Sequence, residues 1–165
     1  MLDKLLLLDI NGLLCCKVPK GQGLSIKSYD VILRPYYKEF LDWCYKHYKV
    51  GYFSSTSAIN AKLILNYLLT PEQKEHCVLF WFRDKTQLDP YPKKRYDTIK
   101  SLIDVYDHVE YVFNDCNTLI IDDSYNKVRF NLQKNVLLCQ PYKNDKDDDE
   151  LIRLMSDIVT KYSLL

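Results

Sequence analysis

The feature that most constrains this chain is its opening run, KLLLLDINGLLCC at residues 4–16. Leu5 to Leu8 have no polar face, which is the pattern of a strand covered on both sides in a parallel sheet. The run is too short to cross a bilayer, and Asp9 interrupts it, so it reads neither as a span nor as a signal segment. An acid and an amide, Asp9 and Asn11, stand two residues apart where it ends.

The remaining text alternates strand and helix, which predicts an α/β fold: a parallel sheet with helices on both faces. Pro19, Gly21 and Gly23 between apolar flanks predict a hairpin-like excursion over residues 13–33. Arg34-Pro35 then opens a helix with Phe40, Leu41, Cys44 and Tyr48 on its apolar face. Further strands are expected at 50–53, 77–82, 118–122 and 135–139, and helices at 57–69 and 94–106. The acid run DKDDDE at 145–150 suits the start of a last helix, where carboxylates meet the positive end of the macrodipole. Neither a repeat nor a linker is visible, and residues 1–165 read as a single domain.

A formal net charge of +1 argues against a nucleic-acid-binding surface that works by bulk charge. The six cysteines form no CxxC pair and lie mostly in apolar runs, as expected of reduced thiols in an intracellular protein, nuclear or cytoplasmic. His47, His76 and His108 are far apart and lack ligand spacing. Arg83 reads as a solvated loop residue in preference to one that meets a substrate phosphate or a peptide acid.

Three expected strands end on polar side chains: Asp9 with Asn11, Ser54 with Ser55, and Asp122 with Asp123. A single Asp after a strand is ordinarily a cap or turn former. Three such ends in one parallel sheet point instead to the crevice beyond the strands' carboxyl ends, where ligands bind. Carboxylates gathered there need a cation, and Mg2+, a hard ion that takes oxygen ligands, fits. A lysine near a helix start, Lys93 or Lys94, can pair with a phosphate.

The order of these motifs resembles the FCP/SCP-like, or NLI-interacting-factor-like, phosphatases of the haloacid dehalogenase superfamily. The resemblance is carried by Asp9-Ile10-Asn11-Gly12-Leu13, LRPYYKEFLDWCYKHY, VGYFSS and TLIIDDS, and it covers roughly residues 4–160. It implies a Rossmann-like, haloacid dehalogenase-type sheet with an insertion after the first strand. It implies a magnesium-dependent phosphoprotein phosphatase of the type that acts on the C-terminal domain of RNA polymerase II. Asp9 would be nucleophile and metal ligand, Asn11 would offer its carbonyl to the metal, and Asp122 and Asp123 would complete the metal site. Ser54 and Lys94 would bind phosphate, and the partner would be a phosphorylated protein or peptide. The family has a second Asp as general acid where this chain has Asn11, and Thr where it has Leu13. An amide cannot titrate, so the expectation is an attenuated phosphatase. The alternative is an inactive phosphatase-fold scaffold, or pseudophosphatase, that binds phosphopeptide or protein without turnover.

Overall fold

A computed structural model describes residues 3–165. The first strand, β1 (Leu5–Leu8), is central, and all four of its leucines are buried. It is followed by three short strands, β2 (Cys15–Val18), β3 (Leu24–Ser25) and β4 (Asp30–Leu33), which form an antiparallel sheet in the order β2-β4-β3. The excursion expected over 13–33 is therefore a three-stranded flap. Helix α1 (Tyr37–His47) leads into β5 (Lys49–Phe53), and α2 (Ala58–Leu68) follows. Pro35 lies just ahead of α1, whose N-cap Tyr36 has a left-handed backbone with φ of 64°.

Pro71 ends one helix and begins another. It is the first residue of α3 (Pro71–Glu75), started by a capping box between Thr70 and Gln73. The strand expected at 77–82 is confined to β6 (Phe80–Trp81) at the sheet edge, where it pairs with β5 alone.

The largest departure from expectation lies at 94–106. The strand β8 (Thr98–Ile99), paired antiparallel with β7 (Gln87–Leu88), takes up part of its first half, and the helix α4 runs only over Leu102–His108. Ser101 starts that helix by accepting the Asp104 N–H on its side chain. Helical spacing counted from Tyr96 therefore crosses a strand. Ile99, Leu102 and Tyr106 are buried, whereas Tyr96 and Ile103 are exposed.

The chain continues through β9 (Thr118–Asp122), α5 (Tyr125–Val128), β10 (Val136–Leu138) and α6 (Glu150–Tyr162). The main sheet is parallel, in the order β10-β9-β1-β5-β6. Side chains alternate across it. Leu6 and Leu8 join one core with Phe40, Ile64 and Leu154 from α1, α2 and α6. Leu5 and Leu7 join a second core with Leu102 and Val105 of α4. Helices thus cover both faces, as the unbroken leucine run requires. Among the described residues, no helix is long and apolar enough to cross a membrane.

From β1 the chain builds outward to β5 and β6, then returns to place β9 and β10 on the other side. The order reverses at β1. The crevice of an open parallel sheet forms at such a reversal, beyond the strands' carboxyl ends.

Candidate active site

Asp9 is the first residue after β1, and its N–H extends the ladder to the Ile121 carbonyl at 3.1 Å. Ser54 follows β5, and Asp122 closes β9. The register of β1 with both neighbours therefore sets all three at one edge. Asp123 comes next, and oxygens of Asp9, Asp122 and Asp123 lie within 4.8 Å of one another.

Lys94, expected to reach this edge, does not. Its backbone N–H and that of Lys93 donate to the Asp97 carboxylate on an exposed turn. The fold brings Lys100 instead. Its Nζ lies 3.0 Å from Asp9 Oδ1 and 2.5 Å from Asp122 Oδ2, and its side chain is wholly buried. The backbone there is clamped from both sides: Lys100 N–H donates to the Lys127 carbonyl at 2.7 Å, and Asn131 Nδ2 donates to the Lys100 carbonyl at 2.8 Å. Lys100 is the polar residue immediately after the short strand β8. The rule that singled out Asp9, Ser54 and Asp122 would have found it, had 98–99 been read as a strand.

Burial alone would lower the Lys100 ammonium, but Asp122 and Asp9 outweigh it and hold it above the ordinary lysine range. Burial lifts the Asp122 carboxyl, with Lys100 opposing and Asp9 adding to the rise. Burial, then Asp9 and Asp122, pushes Asp123 up to about 7. Three carboxylates face one ammonium, so proton uptake or a second cation must balance the remainder. The donors are all hard carboxylate oxygens converging on one point. That chemistry fits magnesium.

The loop between Asp9 and Leu13 is fixed by its own backbone and by Arg34. Gly12 has φ of 90°, and a Cβ there would fall inside the Asp123 carboxylate. Only glycine meets both demands without strain. Arg34, completely buried, donates to the Gly12 and Leu13 carbonyls at 3.1 and 3.2 Å and to Gln140 at 2.9 Å, and it grips Asp148 with two bonds. Asp148 of the acid run thus holds an arginine as well as the start of α6, its Oδ1 also accepting the Glu150 N–H at 3.3 Å.

Asn11 stands on the neutral side. Its Nδ2 donates to Thr56 Oγ1 at 2.8 Å, and its Oδ1 accepts from the Cys15 thiol at 3.4 Å. Burial, then Asp9, raises the Cys15 thiol far above its usual range, so it remains a donor. Thr56 N–H donates to Ser54 Oγ at 3.2 Å, which leaves the serine's own hydrogen free to point outward. Thr56 has no place in the sequence reading, and Cys15 enters it only as a thiol beside Cys16, a weaker nucleophile candidate than Asp9, because their part emerges only when two loops meet. A cavity of about 260 Å³ opens above Asp9, Asn11 and Ser54, rimmed by Lys17, Arg83 and Lys127.

The fold and this edge define an α/β protein with a carboxylate–lysine cluster at the reversal point of a parallel sheet. The chain belongs to the NLI interacting factor-like phosphatase family, which it matches over residues 4–162. It is 28% identical over 135 residues to an uncharacterized FCP1 homology domain-containing protein of Schizosaccharomyces pombe, covering 75% of this chain and 55% of that protein. It is 26% identical over 183 residues to a putative CTD phosphatase-like protein of Invertebrate iridescent virus 3, covering 95% of this chain and 96% of the viral one. Among solved structures it resembles the fission yeast RNA polymerase II CTD phosphatase Fcp1 bound to beryllium fluoride, with a TM-score of 0.61 at 14% identity. That match covers 98% of this chain and 51% of Fcp1. At that identity the likeness speaks for the fold. The chain spans about half the length of the fission yeast relative and of Fcp1.

Proposed function

We propose that this chain is a magnesium-dependent phosphoprotein phosphatase of the type that acts on the C-terminal domain of RNA polymerase II, attenuated because Asn11 stands where the family has its general acid. The observation that carries the reading is the meeting of Asp9, Asp122, Asp123 and Lys100 at one sheet edge under an open, cation-rimmed cavity. We read the whole as one domain working inside the cell, on a phosphorylated protein or peptide.

Asp9 is the nucleophile. Its Oδ1 faces Lys100, and its second oxygen is available to attack phosphorus and form an aspartyl-phosphate. Lys100, rather than Lys94, supplies the positive charge for the phosphoryl group and fixes the Asp9 rotamer. Ser54 donates its free hydroxyl hydrogen to a phosphoryl oxygen. Asp9, Asp122, Asp123 and the Asn11 backbone carbonyl would hold Mg2+, which supplies electrostatic stabilisation of the transferring group when bound. That the Fcp1 neighbour is bound to beryllium fluoride agrees with a phosphoryl ligand for a protein of this fold.

Asn11 has no proton to give. One hydrogen of its side-chain amide goes to Thr56, its side-chain oxygen accepts from Cys15, and an amide does not titrate, so a leaving oxygen departs unassisted or takes a proton from water. The same pinning favours the second reading, a binding module that holds a phosphopeptide without turnover. One assay separates the two: hydrolysis of an aryl phosphate and of a phosphoserine peptide, side by side, with magnesium. The aryl ester, whose phenolate leaves without a proton, is expected to be cleaved and the peptide hardly at all. Equal rates on both would overturn the attenuated reading. Binding of both without cleavage of either would establish the binding module.

A further inference from the structure

The cavity above Asp9 does not stand alone. A second one, about 490 Å³, shares Ser55, Arg83, Ser124 and Lys127 with it and extends to the exposed turn of Lys93 and Lys94. Five cations line it, Arg83, Lys93, Lys94, Lys127 and Arg129, against two acids, Asp89 and Asp97. In a chain whose net charge is only +1, this is a local concentration.

The acids do not face a ligand. Arg129 Nη2 binds Asp89 Oδ1 at 2.6 Å, which cancels that pair. Asp97 Oδ2 accepts the Lys93 and Lys94 backbone N–H groups at 3.0 and 2.8 Å, so it shapes the turn and leaves both ammonium groups outside. Among the described residues, Arg83, Lys93, Lys94 and Lys127 make no salt bridge. Arg83 is aimed by its Nε, which donates to the Ser55 carbonyl at 2.9 Å. On the wall common to both cavities, the Ser55 hydroxyl is buried and without a partner in the described residues. Tyr91 and Tyr96 are exposed beside the lysines, with the Arg95 guanidinium 5.4 Å from the centre of the Tyr96 ring.

We infer that this second cavity is an anion subsite for a second phosphate on the same peptide as the one seated over Asp9. The inference rests on the reading that the Asp9 cavity takes a phosphorylated residue. A peptide advances about 3.3 Å per residue, so adjoining cavities fit phosphates about two to five residues apart. Lys93 and Lys94 then set specificity without touching the reacting atoms. A single-stranded nucleic acid would also meet cations and aromatic rings here, but the chain's 23 basic residues are matched by 22 acidic ones, which is not the bulk positive charge that nucleic-acid binding draws on.

The test is fluorescence anisotropy on the full chain in the Asp9→Asn background, which keeps the peptide intact, repeated with the unsubstituted chain in EDTA. The probes are a monophosphoserine peptide, bisphosphorylated peptides with the second phosphate placed on either side, and a 5′-phosphorylated DNA octamer. One bisphosphorylated peptide is expected to bind about fivefold tighter than the monophosphorylated one, the size of one or two exposed ion pairs. Raising salt should erase that preference. Lys93→Ser with Lys94→Ser should abolish it while leaving monophosphopeptide affinity within about twofold, and the same pair placed in the unsubstituted chain with magnesium should leave aryl phosphate turnover within about twofold. Equal binding of all peptides, or a preference that survives the double substitution, overturns the subsite. Tighter binding of the octamer than of any peptide overturns it in favour of nucleic acid. If the unsubstituted chain cleaves nothing but the lysine-dependent preference holds, the phosphatase reading fails and the subsite stands.

Discussion

The two sides of the Asp9 cavity solve the same problem in opposite ways. On the side of β9, Asp9, Asp122 and Lys100 are ionic, buried and bound to one another at 2.5–3.0 Å. On the side of β5, Asn11, Thr56 and Cys15 are neutral, half-buried or buried, and linked by ordinary hydrogen bonds. On the proposed function, the ionic side is the one that serves phosphoryl and metal binding. On the same reading, the neutral side lacks the titrating group that would protonate a leaving oxygen. Binding and turnover can therefore be separated within a single pocket, and substitutions on the two sides should have different signatures.

The largest effect is expected on the ionic side. Lys100→Met removes the ammonium between two buried carboxylates, and breaking such a cluster typically costs about 3–5 kcal/mol. Urea unfolding should show that loss, and adding Asp122→Asn should recover part of it by removing one stranded charge. A Lys100→Met chain as stable as the parent would mean that the carboxylates are already protonated, and the ionic description would fail.

On the neutral side, Asn11→Asp should leave stability nearly unchanged and raise turnover of a phosphoserine peptide by about 10² or more, at the lower end of what acid–base help gives. The gain should appear in kcat rather than KM, and should be smaller for an aryl phosphate. Asp9→Asn in the same chain should abolish it. No gain in a folded variant that still binds magnesium would shift attention to Leu13.

Magnesium and pH probe the charge left over on the ionic side. At a free concentration about 100 times its Kd, magnesium should add about 2.7 kcal/mol of stability by mass action. In EDTA the sign of the pH dependence follows from Asp123. Its carboxyl is raised to about 7 in the fold, from an ordinary 3.8. Between those values the folded chain holds more protons than the unfolded one, so stability falls as pH rises. Asp122, also raised, acts in the same direction. Denaturant midpoints from pH 4 to 8 should decline in EDTA and flatten with magnesium or with Asp123→Asn. A profile that rises with pH would contradict the crowding of these carboxylates.

The two sides were also unequally legible in the sequence. Asp9, Ser54, Asp122 and Asp123 follow strands whose apolar runs are long enough to recognise, and the parallel register does the rest. Lys100 follows a two-residue strand, and apolar spacing at Ile99, Leu102 and Tyr106 imitates a helix. The eye is drawn past it to Lys93 and Lys94. Thr56 gave no signal at all, and Cys15 none for the part it plays, since a hydroxyl and a thiol acquire their role only from the neighbour that the fold supplies. The flap was legible as an excursion through Pro19, Gly21 and Gly23, but its third strand, two residues long, was not.

The smallest effect sharpens the comparison most. Thr56→Val keeps the shape and removes the acceptor of the Asn11 amide, which should cost about 1 kcal/mol and leave aryl phosphate turnover almost unaltered. In the Asn11→Asp variant the same hydroxyl can turn and donate to the new carboxylate, a bond that favours the charged form and holds the carboxyl's pKa down. Thr56→Val added there should raise that pKa. The alkaline limb of the kcat profile, which reports the acid in its protonated form, should then move to higher pH. The shift should be absent from the parent chain, where position 11 does not titrate. If the limb stays in place, the proton comes from elsewhere, and the neutral side of the cavity is scaffolding even after the acid is restored.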